Sequence, residues 1–459
     1  MGMQFCEGVR LSDTGSVLGR IRCKRILDDA GDPEAAPLYV RGIRVNLSQF
    51  LQHGLQLFFI GLVIGMERNV LPLVSHDYGV PKGSFLFLMS FIVSFGLVKG
   101  VLNFVAGHLS ECLGRKRVLL LGWVAALPIP FLLRYGHDWN WVVVANVFLG
   151  INQGLAWTMA VTSNVDLSKA DQRGFAAGFN EFAGYLAVGL GGLLIGYATR
   201  LFGMRLALFW LSLGVILLAG VLGKVYLRDT LPWAHAEHRE SLDSANGPDH
   251  LAGGLPAQAS ARAVFVFVSF HNPGLNAFCQ AGVVNKVADA LLWVFLPLFL
   301  NAQGLDTIRI GWISAVYGLT WGVFQLFLGA LSDVVGRRNM IVAGQWLLGI
   351  GILLVSFSHD IGWLLFIAGL LGLGMALVYA NLIAAVADMS RPAWRSLALG
   401  TYRFWRDTGY AIGGVLLGLV AQITMALQPV FWLVAGLLFF SGLVVMMRAE
   451  ETRPRFVTI

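Results

Sequence analysis

The chain has 459 residues, of which 57% are hydrophobic and only 13% are charged. A soluble domain is usually about 25% charged, so this composition excludes a chain that lies mostly in water. The formal net charge of +7 does not indicate a nucleic-acid partner, because the basic residues are spread between apolar segments. The apolar runs are continuous rather than alternating, which disfavours a β-barrel and predicts membrane-spanning helices.

Twelve apolar runs are long enough to cross a bilayer as helices. Each approaches the roughly 20 residues that the hydrocarbon core requires, and polar or helix-breaking residues separate them. The sequence therefore predicts an all-α membrane protein with spans at 50–74, 84–106, 117–135, 140–164, 174–198, 206–226, 274–300, 309–329, 339–357, 361–386, 396–424 and 428–447.

Polar segments divide the spans into two sets of six. We expect a polar cytoplasmic N-terminal tail, a six-helix bundle, a cytoplasmic linker, a second six-helix bundle and a C-terminal tail, at 1–45, 46–226, 227–262, 263–447 and 448–459. Of the 33 lysines and arginines, 23 fall on the side of the tails and linker, 5 on the opposite side and 5 inside spans. Basic residues concentrate on the cytoplasmic side. We therefore expect a plasma (bacterial inner) membrane protein with both termini in the cytoplasm.

A short turn motif occurs twice, 222 residues apart. Residues 107–117 read GHLSECLGRKR, and residues 329–339 read GALSDVVGRRN. The same offset carries Asp166 onto Asp388. A basic, glycine-containing turn repeated between membrane spans is typical of a transporter built from two related bundles.

The first copy resembles the signature loop of the major facilitator superfamily, with matching residues at Gly107, Leu109, Glu111, Gly114, Arg115 and Arg117. The resemblance covers nearly the whole spanning region. It implies twelve helices in two pseudo-symmetric six-helix bundles, the major facilitator fold.

Each turn carries two glycines, an acid and an arginine, and another acid closes a later span of the same half. The first glycine would permit close helix approach and the second a tight turn. The turn acid would lie near a helix N-terminus, and the arginine would pair with the later acid. The resemblance implies that this cluster latches the cytoplasmic side; alternatively, the basic residues only anchor the orientation. The predicted gate residues are Gly107, Glu111, Gly114, Arg115, Asp166, Gly329, Asp333, Gly336, Arg337 and Asp388.

Nine charged residues fall inside the predicted spans. Such a residue costs roughly 2.5–3.5 kcal/mol at the centre of a span, so it is usually paired or functional. The nine are Glu67, Arg68, Lys99, Glu181, Lys286, Asp289, Arg403, Arg406 and Asp407.

Symmetry and helical spacing predict how some of these charges are arranged. Glu67 and Asp289 are equivalent by the repeat, on spans that the resemblance places opposite each other across the cavity. Glu181 and Arg403 are also equivalent and could form a salt bridge in the cavity. Spacings of three and four residues predict two further pairs, Lys286–Asp289 and Arg403–Asp407.

The carboxyl groups of Glu181, Glu67 and Asp289 are the candidates for proton coupling, with Glu181 first because it lies deeper and has a cationic symmetry mate. The basic residues of the spans indicate an anionic or zwitterionic substrate; alternatively, internal pairing neutralises them. The candidates for the substrate cavity are Arg68, Lys99, Lys286, Arg403, Arg406, Asp407, Asn103, Gln325, Trp157 and Tyr379.

These features predict a secondary active transporter that moves a small molecule by alternating access, coupled to protons, with a slight preference for efflux of a drug-like or toxic compound. Proton-coupled uptake of an organic or inorganic anion is the alternative, and a non-transporting membrane sensor is the alternative from another class. The motifs GxxxxGK[ST], HExxH and GxSxG are absent, so we expect neither ATP-driven transport nor an enzyme. We expect a monomer in the lipid bilayer without cofactor or metal, and four reduced cysteines, since they lack CxxC spacing.

Overall fold

The computed structural model describes residues 39–169, 172–234, 255–256, 259–390 and 394–452, apart from the side chains of residues 108, 111, 174, 330, 333, 334 and 396. The described part contains helices and no strands. Its twelve long helices are α1 Leu47–Val70, α2 Phe85–Leu113, α3 Arg115–Tyr135, α4 Trp139–Leu167, α5 Arg173–Phe202, α6 Met204–Tyr226, α7 Pro273–Ala302, α8 Thr307–Val335, α9 Arg337–Phe357, α10 Ile361–Asp388, α11 Arg395–Thr424 and α12 Gln428–Arg448.

Each predicted span corresponds to one of these helices. Within the described ranges, eleven of them are long and apolar enough to cross a membrane. The remaining one, α11, has 30 residues, but Arg403, Arg406 and Asp407 lower its hydropathy. The prediction of an all-α protein with this helix order is confirmed.

Helix ends are set by a small number of side chains. Asp138, Asp306 and Asp360 each accept a hydrogen bond from a backbone N–H in the first turn of α4, α8 and α10. These caps satisfy donors that the helix itself leaves unpaired. The breaks between α2 and α3 and between α8 and α9 fall on Gly114 and Gly336, whose φ angles of 86° and 105° favour glycine.

The two halves meet mainly where α5 packs on α8 and where α2 packs on α11. Glycines permit the close approach at both contacts. A Cβ atom on Gly318 would lie 2.8 Å from the Cα of Gly189, and one on Gly96 would lie 2.6 Å from the Cβ of Tyr410. The central cavity lies between these two contacts.

The segments before α1, after α6 and after α12 lie on one side of the bundle, which we call the turn side because Gly114 and Gly336 lie there. The backbone N–H of Gly42 donates to the carbonyl of Leu167 at the end of α4 (2.8 Å). The residues that follow α6 and α12 also contact the starts of α3 and α9. The opposite side is called the far side.

The predicted division into tails, bundles and linker stays a prediction, and 1–38, 235–254 and 453–459 lie outside the described residues. Cys279 is a free, buried thiol, whereas Cys112 is disulfide-bonded. The expectation of reduced cysteines is therefore wrong for Cys112, because spacing along the chain does not show which residues meet in space.

Candidate functional site

A small cavity lies at the centre of the bundle, between helices of both halves. Two of its lining residues are cations and one is an amide, whereas most of the others are aromatic. The polar and aromatic lining residues are Arg68, Lys99, Gln153, Phe95, Trp157, Tyr185, Trp293 and Tyr410.

Two helices change their winding where they reach the cavity. The segment Gln153–Trp157 of α4 and the segment Leu291–Phe295 of α7 are π-helical. A π-segment inserts an extra residue into a turn and is frequent at functional sites. Here both segments carry lining residues, since Gln153, Trp157 and Trp293 all lie in them.

One ion cluster joins the two halves beside the cavity; we call it the Asp289 cluster (Arg68, Lys286, Asp289 and Tyr410). Arg68 on α1 forms an ion pair with Asp289 on α7. The Nζ of Lys286 lies 2.9 Å from Oδ2 of Asp289, and the Tyr410 hydroxyl donates to the same oxygen at 2.5 Å. The Lys286–Asp289 pair is confirmed, and one buried carboxylate serves two cations.

A second cluster, the Asp407 cluster (Asn103, Thr158, Arg406 and Asp407), lies nearby. Nε and a terminal nitrogen of Arg406 donate to the two oxygens of Asp407, each at 2.9 Å. The amide of Asn103 also donates to Asp407, and Thr158 donates to Asn103 at 2.8 Å. The predicted Arg403–Asp407 pair is wrong, because Arg406 and Asn103 already occupy the carboxylate.

The Lys99 side chain on α2 is surrounded by rings and an amide. Its Nζ lies 3.3 Å from Oε1 of Gln153 and 5.4 to 5.8 Å from the ring centres of Phe95, Trp157 and Tyr410. Among the described residues, no carboxylate lies within 4 Å of this ammonium group. Lys99 is therefore held by hydrogen-bonding and cation–π contacts rather than by a counter-ion.

Two predicted proton-coupling residues, Glu67 and Glu181, have no ion-pair partner among the described residues. Glu67 is fully buried, and neither of its carboxyl oxygens has a hydrogen-bond partner in the described part of the chain. Glu181 is 6% exposed, and its Oε2 likewise has no described partner. The predicted Glu181–Arg403 salt bridge is absent from the described ion pairs. Two cations of the same region are paired with other acids, since Arg68 faces Asp289 and Arg406 faces Asp407.

The repeat-matched polar and aromatic candidates also surround the centre. Gln325 accepts a hydrogen bond from the indole of Trp321 at 3.1 Å. The Trp321 ring stacks on Tyr185 and contacts Tyr379, with ring centres 3.3 and 5.5 Å apart. Trp157 contacts Tyr185 in turn, with ring centres 5.9 Å apart. Gln325, Trp157 and Tyr379 are thus brought together around one aromatic column, whereas Asn103 belongs to the Asp407 cluster.

Sequence reasoning missed two tyrosines at this site. Tyr185 lies four residues after Glu181 on α5, and Tyr410 lies four residues after Arg406 on α11. Residues with this spacing share a helix face. Reading one helical turn beyond Glu181 and Arg406 on the same helix face would have identified both tyrosines.

The turns form the predicted ion pairs, but each pair stays within its own half. Nε of Arg115 lies 3.3 Å from Asp166 Oδ2, and Nε of Arg337 lies 2.5 Å from Asp388 Oδ2. These contacts join α3 to α4 and α9 to α10. The side chains of Glu111 and Asp333 lie outside the described residues, so their predicted place at a helix N-terminus stays a prediction.

The expected close helix approach at Gly107 and Gly329 is wrong for this structure. A Cβ on either glycine would meet nothing within 4 Å among the residues described. Helices of the two halves come close farther from the turns, for example where a Cβ added to Gly178 would lie 3.3 Å from the carbonyl oxygen of Gln325.

Two acids missed by the sequence reasoning complete the turns. Asp229, after α6, accepts a hydrogen bond from the N–H of Arg115 at 3.1 Å. Glu451, after α12, accepts one from the N–H of Arg338 at 3.2 Å. The acids cap the starts of α3 and α9, where Gly114 and Gly336 have no side chain to do so. They are also 222 residues apart, so the internal repeat carried the signal.

Comparison with known proteins agrees with this architecture. The Major Facilitator Superfamily profile matches residues 54–285 and 278–458. The chain is 30% identical over 170 residues to the multidrug resistance protein MdtG of Proteus mirabilis, covering 35% of this chain and 41% of MdtG. It is 25% identical over 199 residues to the efflux pump terJ of Aspergillus terreus, covering 42% of this chain and 37% of terJ.

A third relative is the inner membrane transport protein YajR of Escherichia coli, 30% identical over 158 residues, with 34% of each chain covered. The chain thus matches well under half the length of these relatives. The fold resembles the crystal structure of the human organic anion transporter MFSD10, with a TM-score of 0.64 and 18% identity, covering 87% of this chain and 99% of that one. The fold is therefore the major facilitator fold, and the chain belongs to the Major Facilitator Superfamily.

Proposed function

We propose that the chain is a secondary active transporter that exports a small organic solute by alternating access to the central cavity. The observation that carries this proposal is a buried, charged cavity at the junction of two repeated bundles. Buried ionisable groups are costly in a membrane and usually mark a transport path. In two-bundle transporters, the substrate site lies near the bilayer midplane between the repeats.

Export is favoured over uptake by the relatives, whose names describe multidrug resistance and efflux. We place the turn side on the cytoplasmic face of the plasma membrane, because the basic residues are concentrated on that side. The transporter acts as a monomer in the bilayer. Uptake of an anion is the second candidate, since the cavity is lined by the cations Arg68 and Lys99.

We assign proton coupling to Glu181 first and Glu67 second. A buried carboxyl group without a partner can accept and release a proton more readily than one held by a cation. Asp289 was the third candidate, but it is held by Arg68 and Lys286. We therefore place it in the framework of the cavity.

Purified protein in proteoliposomes tests the proposal. Vesicles containing a pH-sensitive dye receive an imposed pH gradient of either sign, and the fluxes of ethidium, naphthalene-1-carboxylate and naphthalene-1-carboxamide are followed. We expect at least one solute to move against the proton flow and to stop when an uncoupler is added. If all three bind but none moves under any gradient, the sensor alternative is correct.

The variant Glu181→Gln tests the coupling assignment. It should abolish pH-driven flux while leaving solute exchange between preloaded vesicles and the medium. Glu450→Gln, which changes an exposed acid after α12, is the matched control and should behave as the unmodified protein. Unchanged pH-driven flux in Glu181→Gln would eliminate Glu181 as the proton carrier.

A further inference from the structure

The unpartnered polar atoms of the cavity are all of one kind. Among the described lining residues, three buried nitrogen atoms lack a hydrogen-bond partner: Gln153 Nε2, Arg68 Nε and Trp293 Nε1. Each is a donor. The Gln153 amide orientation is fixed independently, because its Oε1 accepts from Lys99. A buried donor without an acceptor costs about 1–3 kcal/mol, so an acceptor atom placed beside these donors would be favoured.

The charges that line the cavity are positive, which also favours a ligand that carries acceptor atoms. Lys99 has no carboxylate within 4 Å in the described part of the chain. Asp289 is shared by Arg68 and Lys286, and Asp407 is fully engaged by Arg406 and Asn103. These two aspartates are therefore already engaged by other cations and do not neutralise Lys99. An anion entering beside Lys99 would supply the missing counter-ion in a site of low dielectric.

The remaining lining is flat and apolar. Phe95, Trp157 and Trp293 present rings around the two cations, with Arg68 positioned 4.8 Å from the centre of the Trp293 ring. Ring faces already occupied by Lys99 and Arg68 offer little to a cationic ligand. They can still pack against an aromatic ligand in offset or edge-to-face contacts.

We propose that the cargo of this cavity is an organic anion with a flat aromatic body, whose negatively charged oxygens bind Lys99 and the Gln153 amide. This inference names a substrate class for the proposed function. It rests on that function only where it treats the bound anion as the transported solute. A small inorganic anion would use the donors but leave the rings without contact. An aromatic cation would meet two positive charges.

Three ligands with one ring system separate these possibilities. Naphthalene-1-carboxylate, naphthalene-1-carboxamide and 1-naphthylmethylammonium differ mainly in charge, and acetate lacks the ring. Binding to the purified protein in detergent is measured by tryptophan fluorescence and by thermal shift. We expect the carboxylate to bind roughly 10- to 100-fold more tightly than the amide, because a hydrogen bond to a charged group is worth about 1.5–3 kcal/mol. Acetate and the ammonium compound should bind more weakly than both.

Variants then locate the anion. Lys99→Met should remove the preference for carboxylate over carboxamide while retaining carboxamide binding, and Lys99→Arg should restore the preference. Lys82→Met, in an exposed loop on the far side, is the control and should leave the preference intact. The retained carboxamide binding shows that the Lys99→Met protein is folded.

The binding assay tests the anion inference, and the flux assay tests the transport proposal, so each can be contradicted without the other. Equal binding of the three naphthalene ligands, or a carboxylate preference that survives in Lys99→Met, would overturn the inference while leaving the proposed transport function untouched. A carboxylate preference that depends on Lys99, without flux under any gradient, would overturn the transport proposal and leave an anion-binding sensor.

Discussion

The turns and the central cavity differ in how far the internal repeat holds. At the turns, each feature of the first half has an equivalent in the second: Gly114 and Gly336, Arg115 and Arg337, and the capping acids Asp229 and Glu451. At the cavity the equivalence breaks, since Lys99 corresponds to Trp321 and Tyr185 to Asp407. The turns depend on helix geometry that both halves need, whereas the cavity needs chemistry that a symmetric site does not provide.

Glu67 and Asp289 show the difference at a single repeat position. Both are fully buried acids at equivalent places on α1 and α7. Asp289 faces two cations and a tyrosine hydroxyl, whereas Glu67 has no hydrogen-bond partner among the described residues. The same residue chemistry at the same place is therefore held by ion pairs in one half and has no described partner in the other.

The largest effect should come from removing one acid of this pair. Asp289→Asn leaves Arg68 and Lys286 without their counter-charge, and breaking a buried ion pair costs roughly 3–5 kcal/mol. Glu67→Gln, at the equivalent position, removes no ion pair and should cost less than about 1 kcal/mol. Thermal unfolding of the two purified variants in detergent measures the contrast. Equal losses of stability would contradict the distinction between the two acids.

A second contrast concerns the glycines of the turns. Gly114→Ala and Gly336→Ala place a side chain at positive φ, which costs roughly 1–2 kcal/mol, and the new Cβ would collide with the carboxylate of Asp229 or Glu451. Because the turns are equivalent, both variants should lower the unfolding temperature by similar amounts. The double variant Gly114→Ala with Asp229→Ala should recover the part of the loss that is due to the collision. A clear loss at only one glycine would break the symmetry that we infer.

The smallest effect should come from the capping acids themselves. Asp229→Ala and Glu451→Ala each remove an acceptor at a helix start, and the loss of such a cap costs about 0.5–2 kcal/mol. Hydrogen exchange should speed up in the first turn of α3 in one variant and of α9 in the other. Asp77→Ala, an exposed acid on the far side, should leave both turns unchanged. Unaltered exchange at α3 in Asp229→Ala would show that the hydrogen bond from Arg115 does not hold that turn.

The sequence predicted the helices and the ion pairs of the turns because their signals are local or repeated. Apolar length predicted the spans, and the 222-residue offset predicted the Arg115–Asp166 and Arg337–Asp388 pairs. At the cavity, spacing along one helix was a poorer guide. It predicted Lys286–Asp289 but also Arg403–Asp407, and it did not predict Arg68–Asp289. That pair depends on how α1 and α7 are rotated against each other, which helix packing decides.

The most direct test of alternating access follows the two ends of α3 and α9. Arg117 and Asn339 are exposed, equivalent residues near the turn side, and Tyr135 and Phe357 are exposed, equivalent residues on the far side. Spin labels on the two pairs, in a cysteine-free background, report the two distances by electron paramagnetic resonance as pH and naphthalene-1-carboxylate are varied. Alternating access predicts opposite changes, with one distance lengthening as the other shortens. Two distances that stay constant, or that change in the same direction, would contradict it.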